Sequence, residues 1–433
     1  MNRRSFFVGA TTAAVSLREL VPAVVSKQRS VGRNANRLSL RELRDQYRSD
    51  LFTDFLPFME TYVIDPEFGG FRCNTNHLGK RFNDNKLSWF EGRGTWVYSF
   101  LYNNLRREQK YLDVARSSID LILKTKPSGD DLWPKEITRE GKPLTSADGE
   151  IYGDLFIAEG MAEFSKASGD TPYWDQAKQI LLKCVRLYDR PDYRPTIGQT
   201  YLGPSARPFP GARIQGVWMT LIRTATQMLQ MRSDKEIEAV ADRCVDAIVN
   251  YHFNKDFDLI NELLNHDLSR PDNEYASLVY TGHCIENLWM LMQEAIRRRD
   301  ENLFDKFAAW FKRHVEVAWD DVYGGVFRNL QDVQKNVWLV DKVLWAQEEV
   351  LIGSMLVAER RGYEWAITLF QKTNEYVRAK YPLKRYGSPL WMYASDRQAS
   401  YKAFSEMPKR VENFHHPRHL MLNLLSLERM LRA

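Results

Sequence analysis

"LSWFEGRGTWVYSFLYNNLRREQKYLDVARSSIDLILK", residues 87–124, holds two helix-length segments of different character. The first, up to residue 104, is apolar and aromatic, whereas the second, from residue 106, is charged and amphipathic. A helix that is apolar nearly all round must be buried, and a one-sided helix can cover it. The stretch therefore predicts an inner helix followed by an outer one.

The same pairing recurs along the chain. Periodicity predicts roughly twelve helices, near residues 40–63, 87–105, 109–126, 150–167, 171–189, 212–231, 233–251, 276–298, 300–318, 339–361, 363–380 and 415–431. Six hairpins closing on themselves predict an all-α fold, one (α/α)6 barrel over residues 40–433, with no linker that would divide it. The alternative is an open helical solenoid, which the lack of a tight repeat consensus disfavours.

Composition excludes some classes of protein. The formal net charge of +5 is small for 433 residues, and acids and bases are interspersed, so no nucleic-acid partner is predicted. Aromatic residues make up 12% of the chain, which suits either a large core or a site for amphipathic ligands such as sugars. The four cysteines form no C-x-x-C pair, which favours free buried thiols over a thiolate zinc site.

The N-terminus has the form of an export signal. "MNRRSFFVGATTAAVSL" has a basic start and an apolar run from Phe6 to Leu17 that is too short to span a bilayer. The Arg3-Arg4 pair resembles a twin-arginine signal, so residues 1–30 are predicted to be a signal peptide. A bacterial periplasmic or secreted location follows. The rest of the sequence has no apolar stretch long enough for a membrane span.

The first candidate site segment is "NKLSWFEGRGTW", residues 85–96. Trp89, Arg93 and Trp96 fall on one helical face. A buried guanidinium needs an acceptor. Arg93 is therefore either part of a structural ion pair or a clamp on a ligand oxygen beside a tryptophan wall.

The second segment is "YTGHCIENLW", residues 280–289. Gly282 can serve as a helix N-cap, which puts His283 in the first turn with Glu286 three residues later on the same side. A histidine at a helix start is often structural. A neighbouring glutamate, however, can tune its basicity. H-x-x-E also forms metal pairs in helical bundles, but the chain has no second copy.

The third segment is "ENFHHPRHLM", residues 412–421, with three of the eight histidines. Pro417 suits a first helical turn, so His415 and His416 lie at the start of the last helix. A metal site needs two or more histidines on one side with an acid partner, which this adjacent pair does not provide. We therefore predict no metal. His416 is expected to point away from the cavity or support the helix start, and His419 to be structural or solvated.

Acidic residues form a further set. "DKVLWAQEEVL", residues 341–351, places Trp345, Gln347, Glu348 and Glu349 at the start of an inner helix. Glu262 lies in an apolar setting in "FDLINELL". Acids at a helix start often only complement the helix dipole.

Several ordered segments together resemble the N-acylglucosamine 2-epimerase family, which shares its fold with cellobiose 2-epimerases and aldose–ketose isomerases. They run from about residue 45 to the C-terminus and include "GGFRCNTNHLGKRFNDNKLSWFEGRGTWVYSFLYN", "DLFIAEGMAEFSKASGD", "GHCIENLW", "DVYGGVFRNLQD", "DKVLWAQEE" and "FHHPRHL". The family fold is the (α/α)6 barrel, in agreement with the helix count.

The resemblance implies site residues by position. The family's G-H-x-x-E motif matches residues 282–286, and its F-H-x-P-R motif matches 414–418, so His283 and His415 resemble the catalytic histidines. Arg93 matches a substrate-oxygen ligand. The predicted substrate-binding residues are Trp89, Arg93, Glu262, Glu286, Trp345, Gln347 and Glu349. "WAQEE" is similar to the cellobiose branch and "FHHPR" to the N-acylglucosamine branch.

The implied reaction is inversion of a free aldose at C-2. One histidine removes the C-2 proton of the open-chain aldehyde, and the other returns a proton to the opposite face of the enediolate. Arg93 would stabilise the developing oxyanion, and Glu286 would orient His283. The chemistry requires no metal and no cofactor, and the sequence is compatible with a homodimer.

Four alternatives remain open at this point. A cellobiose 2-epimerase would carry out the same C-2 inversion on the same barrel. An aldose–ketose isomerase would pass through the same enediolate and return the proton to C-1. A glycoside hydrolase would use two carboxylates, for which Glu286 and Glu349 are candidates. A non-catalytic sugar binder would need none of the acid–base groups.

Overall fold

The protein is described by a computed structural model over residues 38–146, 150–195, 207, 209–395, 397 and 410–433. The predicted signal peptide, residues 1–30, lies outside these residues. Leu38–Arg432 form one compact unit.

Twelve long helices alternate between two concentric layers in the described part of the chain. The inner helices are α2 (Ser88–Asn104), α4 (Ile151–Ser168), α6 (Gln215–Met231), α8 (Thr281–Arg298), α10 (Leu344–Arg361) and α12 (His415–Arg432). The outer helices are α1 (Leu40–Ser49, continuing through π-helical turns to residue 63), α3 (Gln109–Leu123), α5 (Thr171–Asp189), α7 (Lys235–Asp246, with a π-helical end at Ala247–His252), α9 (Glu301–Ala318) and α11 (Glu364–Lys380). The predicted (α/α)6 barrel is confirmed.

The layers follow from the two kinds of sequence. Inner helix α4 buries most of its residues, whereas outer helix α7 buries one stripe that includes Ile237, Val240 and Cys244. Local signals set the helix ends. Asp234 caps α7 by accepting the backbone N–H groups of Glu236 and Ile237 at 3.0 and 3.2 Å. The contrast between an apolar inner helix and a one-sided outer helix, predicted from residues 87–124, is thus also found in other helices of the barrel.

Five short antiparallel ribbons decorate the connections among the described residues. They pair β1 (Lys86–Leu87) with β2 (Glu136–Ile137), β3 (Arg213–Ile214) with β6 (Leu263–Leu264), β4 (Phe253–Asn254) with β5 (Leu259–Ile260), β7 (Asn329–Asp332) with β8 (Val337–Leu339), and β9 (Lys342–Val343) with β10 (Ala394–Ser395). Strands β1, β3 and β9 each lead directly into an inner helix. The predicted starts at residues 276 and 339 were too early, because residue 276 lies in a turn and residue 339 ends strand β8.

One polar connection is a clamped loop with two glycines. In "DPEFGG", residues 65–70, the Lys86 ammonium binds Asp65 at 3.0 Å and the Gly69 carbonyl at 2.6 Å. Gly69 and Gly70 have φ angles of 78° and 75°, which glycine adopts without a Cβ clash. The Glu91 carboxylate accepts the Phe71 N–H at 2.9 Å.

A second loop, "DDVYGG" at residues 320–325, repeats this construction. Lys342 binds Asp320 at 2.9 Å and also donates to the Gly324 carbonyl. Gly324 and Gly325 have the same φ angles of 78° and 75°. Gln347 stands where Glu91 stands in the first loop, and it accepts the Val326 N–H at 2.8 Å.

The barrel is closed by its first and last helices. His419 Nε2 on α12 lies 3.0 Å from the Tyr47 hydroxyl on α1, and Arg48 pairs with Glu428 at 3.2 Å. Within the described residues, no helix combines the length and apolarity needed to cross a membrane. The four cysteines are buried free thiols, as predicted.

Candidate active site

The candidate residues gather where the inner helices begin. Trp89 and Arg93 lie in the first two turns of α2, His283 and Glu286 in those of α8, Trp345 and Glu349 in those of α10, and His415 starts α12. Helix N-termini carry a partial positive charge, which stabilises an anion. This end of the barrel is therefore suited to a substrate that becomes negatively charged.

His283 is hydrogen-bonded to a glutamate in the short connection between β5 and β6. Its Nδ1 lies 3.0 Å from Glu262 Oε1, and the Glu262 side chain is fully buried. Burial lowers the pKa of His283 to about 3, although the charge of Glu286 opposes this. Burial also raises the pKa of Glu262 well above its usual range, against a backbone N–H bond from Gly216. The partner that orients His283 is thus Glu262, rather than Glu286 as the sequence suggested.

Gly282 has a packing role instead of the predicted capping role. Helix α8 begins at Thr281, so Gly282 lies inside the first turn. A Cβ on Gly282 would come within 2.6 Å of the Trp345 ring. The glycine therefore lets Trp345 pack beside His283, whose ring centroid lies 5.9 Å from that of Trp345.

His415 is held by a second glutamate, Glu412, which sequence reasoning missed. Glu412 Oε1 lies 3.2 Å from His415 Nδ1, and Oε2 accepts the backbone N–H groups of Phe414 and His415 at 3.0 and 2.7 Å. Burial would raise the pKa of Glu412, but His415, Arg93 and the backbone donor lower it far below its usual range. Burial lowers the pKa of His415, and Glu412 partly opposes that effect. An acid three residues before the helix-start histidine was the available signal.

Arg93 has its acceptor in the same glutamate. Its guanidinium lies 3.3 Å from Glu412 and 4.7, 4.1 and 4.8 Å from the ring centroids of Trp89, Phe156 and Phe414. Burial lowers the pKa of Arg93 to about 10, so it remains a cation at neutral pH. The aromatic box and Glu412 together fix its position beside His415.

A buried ion triad lies beneath the histidines. Arg418 on α12 donates to Glu286 at 2.7 Å and also to Glu349, which accepts the Trp289 indole N–H at 2.6 Å. Burial would raise the pKa of Glu286, but Arg418 and His415 lower it to about 2. Burial, helped by the charge of Glu286, raises the pKa of Glu349 to about 8 despite Arg418. Arg418 therefore balances one carboxylate charge at neutral pH.

The two histidines share this neighbourhood. His415 Nε2 lies 4.0 Å from Glu286, which follows His283 on α8, and the His415 ring stacks on Trp345 at 5.6 Å. The structure thus brings together His283, His415, Arg93, Trp89, Glu262, Glu286, Trp345 and Glu349. Their roles toward a substrate stay predictions.

Gln347 stands apart from this group. Its amide is fully buried, accepts the Val326 N–H and donates to the Val326 and Val343 carbonyls at 2.8 and 3.3 Å. These bonds occupy both ends of the amide in holding the second glycine loop. The predicted contact of Gln347 with substrate therefore finds no support in this geometry.

The expectation that His416 points away from the cavity was wrong. His416 lines a cavity of about 50 Å³ together with His415, Trp345 and Trp391. Its Nδ1 lies 2.5 Å from Glu348 Oε1. His419, which is fully buried and contacts Glu348 at 3.3 Å and Tyr47, is structural as predicted.

Two groups among the described residues could approach one metal ion: Glu348, His416 and His419, and Glu286, Glu349 and His415. In the second group the Arg418 guanidinium already bridges the two carboxylates. In the first, Glu348 and His416 are hydrogen-bonded to each other. These contacts account for both groups as hydrogen-bonded ion networks.

Comparison with known proteins gives a consistent picture. The model of the N-acylglucosamine 2-epimerase (GlcNAc 2-epimerase) family matches residues 69–418. The N-acylglucosamine 2-epimerase of Mus musculus is 26% identical over 350 residues, covering 77% of this chain and 80% of that relative.

Solved structures share the fold. A cellobiose 2-epimerase from Spirochaeta thermophila superimposes with a TM-score of 0.75 at 15% identity, covering 92% of this chain and 100% of that one. A sugar epimerase from a ruminal bacterium gives 0.70 at 19% identity, covering 88% and 98%.

Proposed function

The chain belongs to the N-acylglucosamine 2-epimerase family, and on that premise we propose that His283 and His415 invert C-2 of a free aldose, an N-acylglucosamine/N-acylmannosamine or a related sugar. The enzyme is a carbohydrate epimerase of the isomerase class. One observation supports the histidine mechanism: two buried imidazoles at one mouth of the barrel each have a glutamate beside Nδ1, at 3.0 Å for His283 and 3.2 Å for His415.

The proposed reaction starts from the open-chain aldehyde. One imidazole takes the C-2 proton through Nε2, the electron pair moves onto the carbonyl oxygen, and the other imidazole gives a proton to the opposite face of C-2. Each general acid–base step contributes about 10²–10⁴-fold in rate. Arg93 supplies a fixed positive charge for the enediolate oxygen, as do the gathered helix N-termini.

The glycoside hydrolase alternative lacks suitable carboxylates at this site. Glu286 and Glu349 both bind Arg418 and lie side by side, and Glu349 is fully buried. A hydrolase needs two accessible carboxyls on opposite sides of a glycosidic bond. An aldose–ketose isomerase remains the second candidate, because it would use the same base and enediolate.

Incubation with a panel of free aldoses in heavy water tests the proposal. Deuterium at C-2 of both epimers is expected, followed by NMR. Label at C-1 of a ketose would point to the isomerase, and new reducing ends from oligosaccharides would point to a hydrolase. A variant carrying both His283→Asn and His415→Asn is the matched control and should incorporate nothing.

We also propose that the protein is exported through a twin-arginine route, which the Arg3-Arg4 pair and the short apolar run support. Replacing both arginines with lysine should leave precursor in the cytoplasm, as measured by fractionation. Unchanged export would contradict this route.

A further inference from the structure

A third histidine in this mouth is built like the two above. Glu348 holds His416 at Nδ1, as Glu262 holds His283 and Glu412 holds His415. Among the described residues, Nε2 of His416 has no hydrogen-bond partner, and the side chain lines the cavity next to His415. The C-2 reaction uses two histidines, so this third pair has no task in it.

The state of Glu348 defines how His416 presents its ring. Burial would raise the pKa of Glu348, but His416, with a hydrogen bond from His419, lowers it to about 2. The carboxylate is therefore ionised at neutral pH and accepts the Nδ1 proton. In the neutral ring, Nδ1 then carries the proton and Nε2 carries a lone pair.

The reaction has a step that needs such a group. Free aldoses are mainly cyclic hemiacetals, whereas C-2 becomes acidic only in the open-chain aldehyde. Opening the ring requires one proton to leave the anomeric hydroxyl and one to reach the ring oxygen. The anomeric oxygen and the ring oxygen are both bonded to C-1. C-1 is the neighbour of C-2, the carbon on which His415 is proposed to act.

We propose that His416, held by Glu348, opens and closes the sugar ring at C-1; this rests on the proposed function. Nε2 takes the anomeric hydroxyl proton, and the freed electron pair forms the C-1 carbonyl. The bond from C-1 to the ring oxygen breaks, and its electron pair stays on that oxygen. The imidazolium then gives the proton to the ring oxygen, so the step is balanced. Closure is the reverse.

The surroundings of His416 suit this role. Phe55 and Trp391 pack against its ring at centroid distances of 5.7 and 4.8 Å, which fixes its orientation. Glu348 and His416 belong to adjacent inner helices, so the pair is rigidly mounted. His419 also contacts Glu348 but does not line the cavity, which makes it a natural control.

Anomer interconversion measures ring opening separately from C-2 chemistry. The protein with His283→Asn and His415→Asn should still accelerate exchange between α and β anomers of the aldose that the wild type epimerises, measured by exchange NMR. Adding His416→Asn, which retains an amide donor for Glu348, should return the rate to the uncatalysed one, a loss of about 10²-fold or more. Adding His419→Asn instead should leave most of the acceleration.

A substrate that cannot cyclise provides the second arm. Glyceraldehyde has too few carbons for a ring, so His416→Asn alone should leave its C-2 deuterium exchange within about twofold of wild type while epimerisation of the cyclic sugar falls. Equal losses on both substrates would mean that His416 is only structural or acts at C-2. Persistent anomer exchange in the triple variant would also overturn the proposal. Absence of C-2 exchange in the wild type would instead overturn the proposed function.

Discussion

The pairs Glu262–His283 and Glu412–His415 look alike in geometry but differ in charge. Glu412 is bonded by Arg93 and by two backbone N–H groups, all of which favour its ionised form. Glu262 is fully buried, has one oxygen without a hydrogen-bond partner in the described structure, and is bonded by no cation there. Burial accordingly raises the pKa of Glu262, whereas the surroundings of Glu412 lower its pKa.

This difference sets opposite tautomers. Glu412 Oε1 lies 3.2 Å from Nδ1 of His415, and its negative charge favours the tautomer that keeps the proton on Nδ1 and a lone pair on Nε2. The raised pKa of Glu262 favours its protonated form, which would donate to Nδ1 of His283 and leave the ring proton on Nε2. Under the proposed mechanism, these tautomers would present a proton acceptor at His415 and a proton donor at His283, the arrangement that an inversion at C-2 requires. In the reverse direction the roles exchange.

Removing either imidazole should have the largest effect. His283→Asn and His415→Asn should each lower epimerisation by about 10²–10⁴-fold with the fold intact. In heavy water, each variant should label only the epimer whose C-2 hydrogen faces the remaining histidine. NMR of the two epimers, run separately, measures this. Labelling of both epimers by one variant would show that a single histidine serves both faces.

Neutralising each of the two glutamates should lower turnover to a different extent in the two pairs. Glu412→Gln removes a charge that His415 and Arg93 both use, and a hydrogen bond to a charged group contributes about 1.5–3 kcal/mol, so turnover should fall about 10–100-fold. Glu262→Gln replaces one neutral donor with another and should cost less than about fivefold. Steady-state kinetics on the same aldose compares them. An equal or larger loss at Glu262 would contradict the assigned tautomers.

The smallest effect concerns stability toward acid. Burial lowers the pKa of His283 to about 3, and the unfolded residue has a pKa near ~6.5. As the pH falls, the unfolded chain therefore binds the proton before the folded chain does. The free energy of unfolding decreases once the pH drops below the pKa of the unfolded histidine. His283 alone should account for about 1 kcal/mol between roughly pH 6.5 and 5.5.

Urea unfolding at the two pH values measures this contribution. His283→Asn should reduce the loss of unfolding free energy between the two pH values by that amount. His415→Asn should reduce it by less, because Glu412 partly offsets the effect of burial on the pKa of His415. If both variants reduced the loss of unfolding free energy by the same amount, the assigned electrostatic difference between the two pairs would be contradicted.

The helical periodicity of the sequence correctly predicted the inner helices. Inner helices were readable because their apolar surface extends all round, and His415 was placed at the start of α12 because Pro417 suits a first helical turn. His283 does lie in the first turn of α8, although Gly282 is not the cap of that helix. The errors of a few residues at the starts of α8 and α10 come from a turn before α8 and paired strand residues before α10, which helical periodicity does not report.

The partners of the site residues were harder to predict. Glu412 lies in an irregular segment before α12, and its contact with Arg93 joins residues far apart in sequence. Gln347 was predicted to be a ligand because it lies in "WAQEE", which resembles the corresponding segment of the cellobiose branch. Its true counterpart is Glu91, since each follows an Asp–Gly-Gly loop and a lysine, and comparing "DPEFGGF" with "DDVYGGVF" would have revealed this.

The contact between α1 and α12 ties catalysis to the completion of the ring. Tyr47 and His419 meet across almost the whole length of the folded chain, a contact of very high sequence separation that forms slowly. The helix that makes this contact also carries His415, His416 and Arg418. Until α12 packs against α1, the ring is open and the proposed base, His415, is not held in place, so activity is expected only after the ring has closed.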